Sequence, residues 1–417
     1  MTRGTRNRKK KIATVALAAT VALTGCAVSG GLPAADENGP ALSDMEPLVL
    51  KYSDSNVETA AHAIAMQTFM DTVTERTDGK ITFESYFSGT LHAQDEALDA
   101  LESGLTDITF ITAQGAATEL PVTGWEVTIA QAGIPSKYPA SLLGGTPAQV
   151  ALFQSSVIAA ELAERDATTL ATWSSLPNML LCESAVSGPA ELAARAVRTP
   201  GGPSNLDLEG LGMTTVSIPR SDVYEGLQRG IVSCDYGVAS SFITGSTWDV
   251  ATYLVPASFS TSAGATLLIR KSLIESLPEE VQDIMFEEQA SLIAGIMRAT
   301  LDRNIQLADE AADRGITFVN PAPFNSVLEE NRETYIQAAL DAPPAAISDA
   351  DAFLSELEGL VDDWERLTAG RLDVQSVSPT TQEGWIDLFS SFEDVDWDEY
   401  AALVREYLAE HRQTSTG

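Results

Sequence analysis

From Leu48 to Ile111 the chain alternates strand and helix patterns at a spacing that leaves few folds open. Leu48-Val49-Leu50-Lys51-Tyr52 reads as a strand, and the polar turn Ser53-Asp54-Ser55-Asn56 leads into a helix over about Thr59–Arg76. Ile64, Met66, Phe69, Met70 and Val73 recur there at helical spacing. Thr77-Asp78-Gly79-Lys80 stops the helix, and Ile81–Phe87 alternates as a second strand. A short helix over Asp95–Ser103 then precedes a third strand, Asp107–Ile111. Strands joined by helices of this length pair in parallel through right-handed crossovers, so an α/β fold is expected.

The pattern continues with a long helix over about Pro147–Glu164 and a strand over Ala167–Trp173. Beyond these, Ala196–Arg198 and Ile231–Val238 read as strands flanking a helix at Ser221–Arg229, and Thr266–Ile269 as another strand. Amphipathic helices follow at Pro278–Asp313, Asn325–Leu340, Asp349–Leu367 and Trp397–His411, and the tail Gln413–Gly417 is expected to be disordered. At 417 residues the chain can build two well-buried cores.

The N-terminus points to export. Arg3, Arg6, Arg8, Lys9, Lys10 and Lys11 precede an apolar run from Ile12 to Leu23, too short to cross a ~30 Å hydrocarbon core. The following Leu23-Thr24-Gly25-Cys26 resembles the lipobox of bacterial lipoproteins, which implies lipidation of Cys26 after removal of residues 1–25. Ordinary secretion with a free Cys26 is the alternative. Residues 26–46, rich in Gly, Ala, Pro and Asp, read as a flexible spacer. The expected location is the outer face of a cell membrane, held by the lipid.

Formal charge is −34, and loss of the six basic residues in 1–25 leaves about −40. Such a surface repels phosphate backbones and anionic headgroups, so nucleic acid is not an expected partner. Cys182 and Cys234 form an even pair in an oxidising compartment; a disulfide and two buried thiols are both open. His62, His92 and His411 lack ligand spacing, and each reads as an ordinary polar residue; no metal or cofactor is expected. Nucleophile-elbow, Walker, dinucleotide and zinc-protease signatures do not occur, so an enzyme is not expected, and a secreted hydrolase is the remote alternative.

The stretch Glu191–Gly237 carries the most information. Arg195-Ala196-Val197-Arg198-Thr199-Pro200, Gly212-Met213-Thr214-Thr215-Val216 and Asp222-Val223-Tyr224-Glu225-Gly226-Leu227-Gln228-Arg229-Gly230 succeed one another. Earlier come Glu75-Arg76-Thr77-Asp78-Gly79-Lys80, Ser88-Gly89-Thr90-Leu91 and Gly104-Leu105-Thr106-Asp107-Ile108, and later Ser276-Leu277-Pro278. This ordered set, over about Leu48–Asp313, resembles the DctP-like extracytoplasmic solute-binding proteins of TRAP transporters.

The resemblance implies two α/β domains of periplasmic-binding-protein type, with mixed or parallel sheets and a ligand cleft between them. It assigns 47–172 and 262–302 to one lobe, and 173–261 and 303–412 to the other, with a helical C-terminal region. It also implies capture of a small organic acid for a membrane permease, an ABC-type or sensor-linked receptor being the alternative. Arg198 falls on the family's carboxylate-binding Arg, with Arg195 as the structural rival. Asn178, in Trp173-Ser174-Ser175-Leu176-Pro177-Asn178, stands where many members carry a second Arg. In Gly230–Gly237, Ser233, Cys234 and Gly237 replace the family's Asp, Gly and Asn. The implied solute contacts are Arg198, Asn178, Tyr236 and Gly237. One cation among neutral donors suits a monocarboxylate or a weakly charged solute better than a dicarboxylate.

Overall fold

The computed structural model describes residues 41–133, 138, 143, 146, 155–199, 201–261, 264–372 and 377–411. The expected export signal, Cys26, the expected spacer up to residue 40, residues 147–154 and the tail Gln413–Gly417 lie outside them. Packed structure is present by Leu42, whose side chain is buried, ahead of the expected start of the first lobe. The Lys80 ammonium donates to the Met45 carbonyl at 2.6 Å and ties this segment to the turn before the second strand.

Eleven strands are described, in two sheets. The first holds β1 (Leu48–Ser53), β2 (Ile81–Tyr86), β3 (Ile108–Thr112), β4 (Ala167–Trp173) and β10 (Ala265–Arg270), in the order β2-β1-β3-β10-β4. As the spacing predicts, β1 pairs in parallel with β2 and β3. β10 enters between β3 and β4 and runs antiparallel to both, so the sheet is mixed. The second sheet holds β5 (Met179–Cys182), β6 (Ala196–Arg198), β7 (Thr214–Val216), β8 (Cys234–Gly237), β9 (Tyr253–Val255) and β11 (Thr317–Phe318), in the order β11-β9-β5-β8-β6-β7.

The Ala61–Arg76 helix buries Met66, Phe69, Met70 and Val73. Ile64, expected on the same stripe, is instead 43% exposed, because Ala63 and Ala65 hold the inward positions beside it. The strand expected over Ile231–Val238 begins only at Cys234. Gly230 sits at φ +68°, in the left-handed region that glycine favours, and turns the chain so that Ile231 points outward. Of the expected Pro147–Glu164 helix, the described part is Ser156–Ala163, capped by the Ser155 hydroxyl. Cys182 and Cys234 are joined in a disulfide between directly opposed residues of β5 and β8.

The chain crosses between the sheets through residues 174–178, from β4 to β5, and again between β9 and β10, where residues 256–261 are described. These two segments hold each other. Pro177 and Thr261 form an antiparallel bridge, and the Asn178 backbone N–H donates to the Ser260 carbonyl. The 32-residue helix Glu279–Glu310 then packs against the Ala61–Arg76 helix and β4 on the first sheet. It also touches the Ala239–Thr244 helix, which follows β8 of the second. Helices Gln382–Ser390 and Trp397–His411 cover its remaining side.

Candidate functional site

A cleft of about 730 Å³ lies between the two sheets. It opens at the carboxyl ends of β3, β4, β6 and β8, which contribute Thr112, Trp173, Arg198 and Gly237. Ligands of open α/β sheets bind in such a place, because loops there diverge and leave backbone groups free. All four sequence-predicted contacts, Asn178, Arg198, Tyr236 and Gly237, line it, and so do His62, Phe110 and Arg220.

The second-sheet wall carries two arginines in opposite circumstances. Arg220 grips the fully buried Asp235 with two parallel bonds of 2.6 and 2.7 Å and donates to the Ser241 carbonyl at 2.5 Å. Thr247 Oγ1 donates to the same carboxylate at 2.8 Å. Its charge is therefore answered from within the protein. Arg198, at the end of β6, has no such answer: its Nε is buried and unpartnered like that of Arg220, but no carboxylate among the described residues pairs with the rest of its guanidinium. Burial, then the neighbouring Arg220 charge, push the Arg198 guanidinium down to about 10, with Asp235 pulling the other way. Arg198 thus stays protonated at neutral pH, as a cation short of counter-charge and solvent. An anion entering the cleft would supply the missing charge and accept paired hydrogen bonds. Arg195 lies outside the cleft, with its guanidinium on the Ser184 and Ala185 carbonyls.

Asn178 and Tyr236 face the cleft, but their polar groups are engaged. Asn178 Nδ2 donates to the Ser260 carbonyl at 2.7 Å, and Tyr236 Oη lies 3.3 Å from Ser260 Oγ. The Ser260 N–H in turn donates to buried Asp207 at 2.6 Å. Both residues therefore fasten the crossing segment 256–261 as well as forming cleft wall. Gly237 has a steric reason: a Cβ there would meet Ser241 Oγ at 2.4 Å. That hydroxyl accepts from the Val238 N–H at 3.1 Å, at the start of the next helix.

The first-sheet wall is an aromatic slab that sequence reading missed. The His62 ring stacks on Phe110 with centroids 4.3 Å apart and planes 17° apart, and Trp173 lies 5.7 Å from His62 and 5.9 Å from Phe110. His62 Nε2 is 2.8 Å from Asp54 Oδ2. Asp54 is buried and also accepts from Tyr52 Oη at 2.6 Å and from the backbone N–H and Nδ2 of Asn56. Desolvation pushes the Asp54 carboxyl up, but His62, Tyr52 and Asn56 together outweigh it and hold the group below its usual range. His62 read as an ordinary polar residue because its partner, just past β1, and its stacking surface, on β3, come from separate parts of the sheet. His92 is internal: its Nδ1 faces the Ala93 carbonyl at 2.8 Å and its Nε2 the Ser53 hydroxyl at 2.6 Å.

Among the described residues no group of three or more His, Cys, Asp or Glu is placed to hold a metal ion, and no helix is long and apolar enough to cross a membrane.

Residues 145–339 match the model of the bacterial extracellular solute-binding proteins of family 7, DctP. That match takes in a little under half of the chain. The chain is 23% identical over 259 residues to the uncharacterised protein y4mM of Sinorhizobium fredii, a match covering 56% of this chain and 45% of that one. The chain thus spans under half the length of this curated relative. Among solved structures, it resembles DctP7 of Bordetella pertussis, an extracytoplasmic solute receptor binding pyroglutamic acid. That match has a TM-score of 0.64 at 14% identity, over 76% of this chain and 99% of that one. A TRAP solute-binding protein of Rhodoferax ferrireducens in complex with benzoate gives 0.66 at 16%, over 77% and 100%. One from Bordetella bronchiseptica with bound mandelate gives 0.64 at 18%, over 76% and 99%. At these identities the likeness establishes the fold, an α/β architecture of periplasmic-binding-protein type.

Proposed function

We propose that this chain is a member of the DctP family and the extracytoplasmic receptor of a TRAP-type transporter, capturing a small monocarboxylic acid and delivering it to the membrane permease. One observation carries the reading: Arg198, protonated, sunk in the cleft wall and without a counter-ion among the described residues. The three structural relatives named above bind pyroglutamic acid, benzoate and mandelate, all monocarboxylates. Arg220 adds no net charge, because Asp235 neutralises it, so the wall offers one carboxylate site. No reaction is assigned to the cleft: its polar groups suit gripping a solute, and it acts as a binding site.

We assign residues 47–172 with 262–302, and 173–261 with 303–412, to two lobes that close on the solute about the paired crossing segments. Closure is driven by the solute's higher affinity for the closed form. A lipid on Cys26 would hold the receptor at the outer membrane face; Cys26→Ser is expected to shift it from the membrane fraction to the soluble one, and retention after a salt wash would refute the anchor.

The test of function is a thermal-shift screen against carboxylic acids. A ligand at 100 times its Kd stabilises the native state by about 2.7 kcal/mol, enough to raise Tm visibly. A broad acid library that leaves Tm unchanged would overturn the reading.

A further inference from the structure

The geometry points to His62 as the solute's second polar contact, with its Nδ1 lone pair accepting a hydrogen bond from a hydroxyl or amide N–H on the bound acid. The inference rests on the receptor reading above and extends it to the class of solute. Asp54 fixes the chemistry. Its two oxygens already accept from Tyr52 and Asn56, so Asp54 meets His62 as an acceptor and the proton between them sits on Nε2. In the neutral ring Nδ1 is then a bare acceptor. Among the described residues nothing donates to it, and it is not one of the buried unpartnered atoms, so it keeps access to solvent in a side chain otherwise 12% exposed.

The ring around that atom is immobilised. Phe110 lies flat against it and Trp173 stands beside it, leaving an apolar slab with one polar notch. Arg198 sits on the opposite wall. A solute that spans the cleft therefore places its carboxylate on Arg198, a flat body along the slab and a hydrogen-bond donor on His62. A site built to receive a donor discriminates strongly against analogues that lack one, since its acceptor is otherwise desolvated unpaired.

Three matched pairs of acids test this by calorimetry: mandelate against phenylacetate, 3-hydroxybenzoate against benzoate, and pyroglutamate against cyclopentanecarboxylate. The wild type should prefer the donor-bearing member of at least one pair by about tenfold or more. His62→Phe keeps the stacking and removes Nδ1. It should bring that ratio within about threefold, by weakening the donor-bearing acid alone. A ratio that survives in His62→Phe, equal weakening of both members, or no preference in any pair would overturn the assignment. An acid that binds, needs Arg198 and shows no donor preference would sink this inference and leave the receptor reading standing. Imidazole nitrogen NMR needs no variant: Nδ1 of His62 should be unprotonated in free protein and shift on binding of the donor-bearing acid only. An Nδ1–H in the free or bound state would refute it.

Discussion

Arg198 and Arg195 are three residues apart on the same stretch of chain, and their environments differ entirely. Arg195 meets carbonyls at the protein surface, whereas Arg198 is drawn into the cleft with Nε unpartnered. Arg198→Ala should weaken binding of the cognate acid by roughly 2–5 kcal/mol, about 30-fold to several thousand-fold, by stranding a desolvated carboxylate. Arg198→Lys should also bind poorly, since a point charge cannot replace a planar fork. Arg195→Ala should change Kd by less than about threefold. Calorimetry on folded variants checks all three, and wild-type affinity in Arg198→Ala would refute the anchor. Arg198 was legible because a run of recognisable residues surrounds it. His62 was not, because its role depends on Asp54 beneath it and Phe110 beside it, and no local pattern encodes either contact. Arg220 was passed over for the same reason: its partner Asp235 lies on β8, and its neutrality is a tertiary fact.

The second sheet is built from strands of two to four residues, so it needs a device to fix its pairing. The Cys182–Cys234 bond supplies one. A slip of one residue would turn every side chain of β8 to the other face, taking Tyr236 out of the cleft wall. Replacing both cysteines with alanine should lower stability by about 2–4 kcal/mol, read from the denaturant midpoint, and an unchanged midpoint would refute a structural role. Elements with strong periodicity could be read in advance: β1 to β3 and the long C-terminal helices match the residue patterns closely. The Pro121–Gly133 helix could not be, because Val122, Thr123, Trp125, Glu126, Val127, Ile129, Ala130 and Gln131 are all buried, and burial on every side erases a 3.6-residue stripe. Gln382–Ser390 is too short to show a period, although Thr381 caps it and Trp385 and Phe389 anchor it.

At the level of the whole molecule, the Glu279–Glu310 helix is about 48 Å long at 1.5 Å per residue, and it touches both β4 of the first sheet and the Ala239–Thr244 helix that follows β8 of the second. The overall α/β plan was legible; the interposed antiparallel β10 was not, because strand order is decided by packing and not by local pattern. One feature of the molecule also governs how fast it can work. Arg198 is an unanswered cation in the wall of a cleft that Asp95 and Glu119 also line, within a chain of formal charge −34. An arriving acid anion therefore meets repulsion at long range and attraction only at contact. Screening shortens the reach of that repulsion from ~30 Å at 0.01 M salt to ~8 Å at 0.15 M. Stopped-flow fluorescence, with Trp173 in the cleft wall as reporter, should show association quickening severalfold over that range while dissociation barely changes. A rate that falls with salt would refute it. In dilute water the protein's own surface becomes the slow step of capture, and brine removes the obstacle.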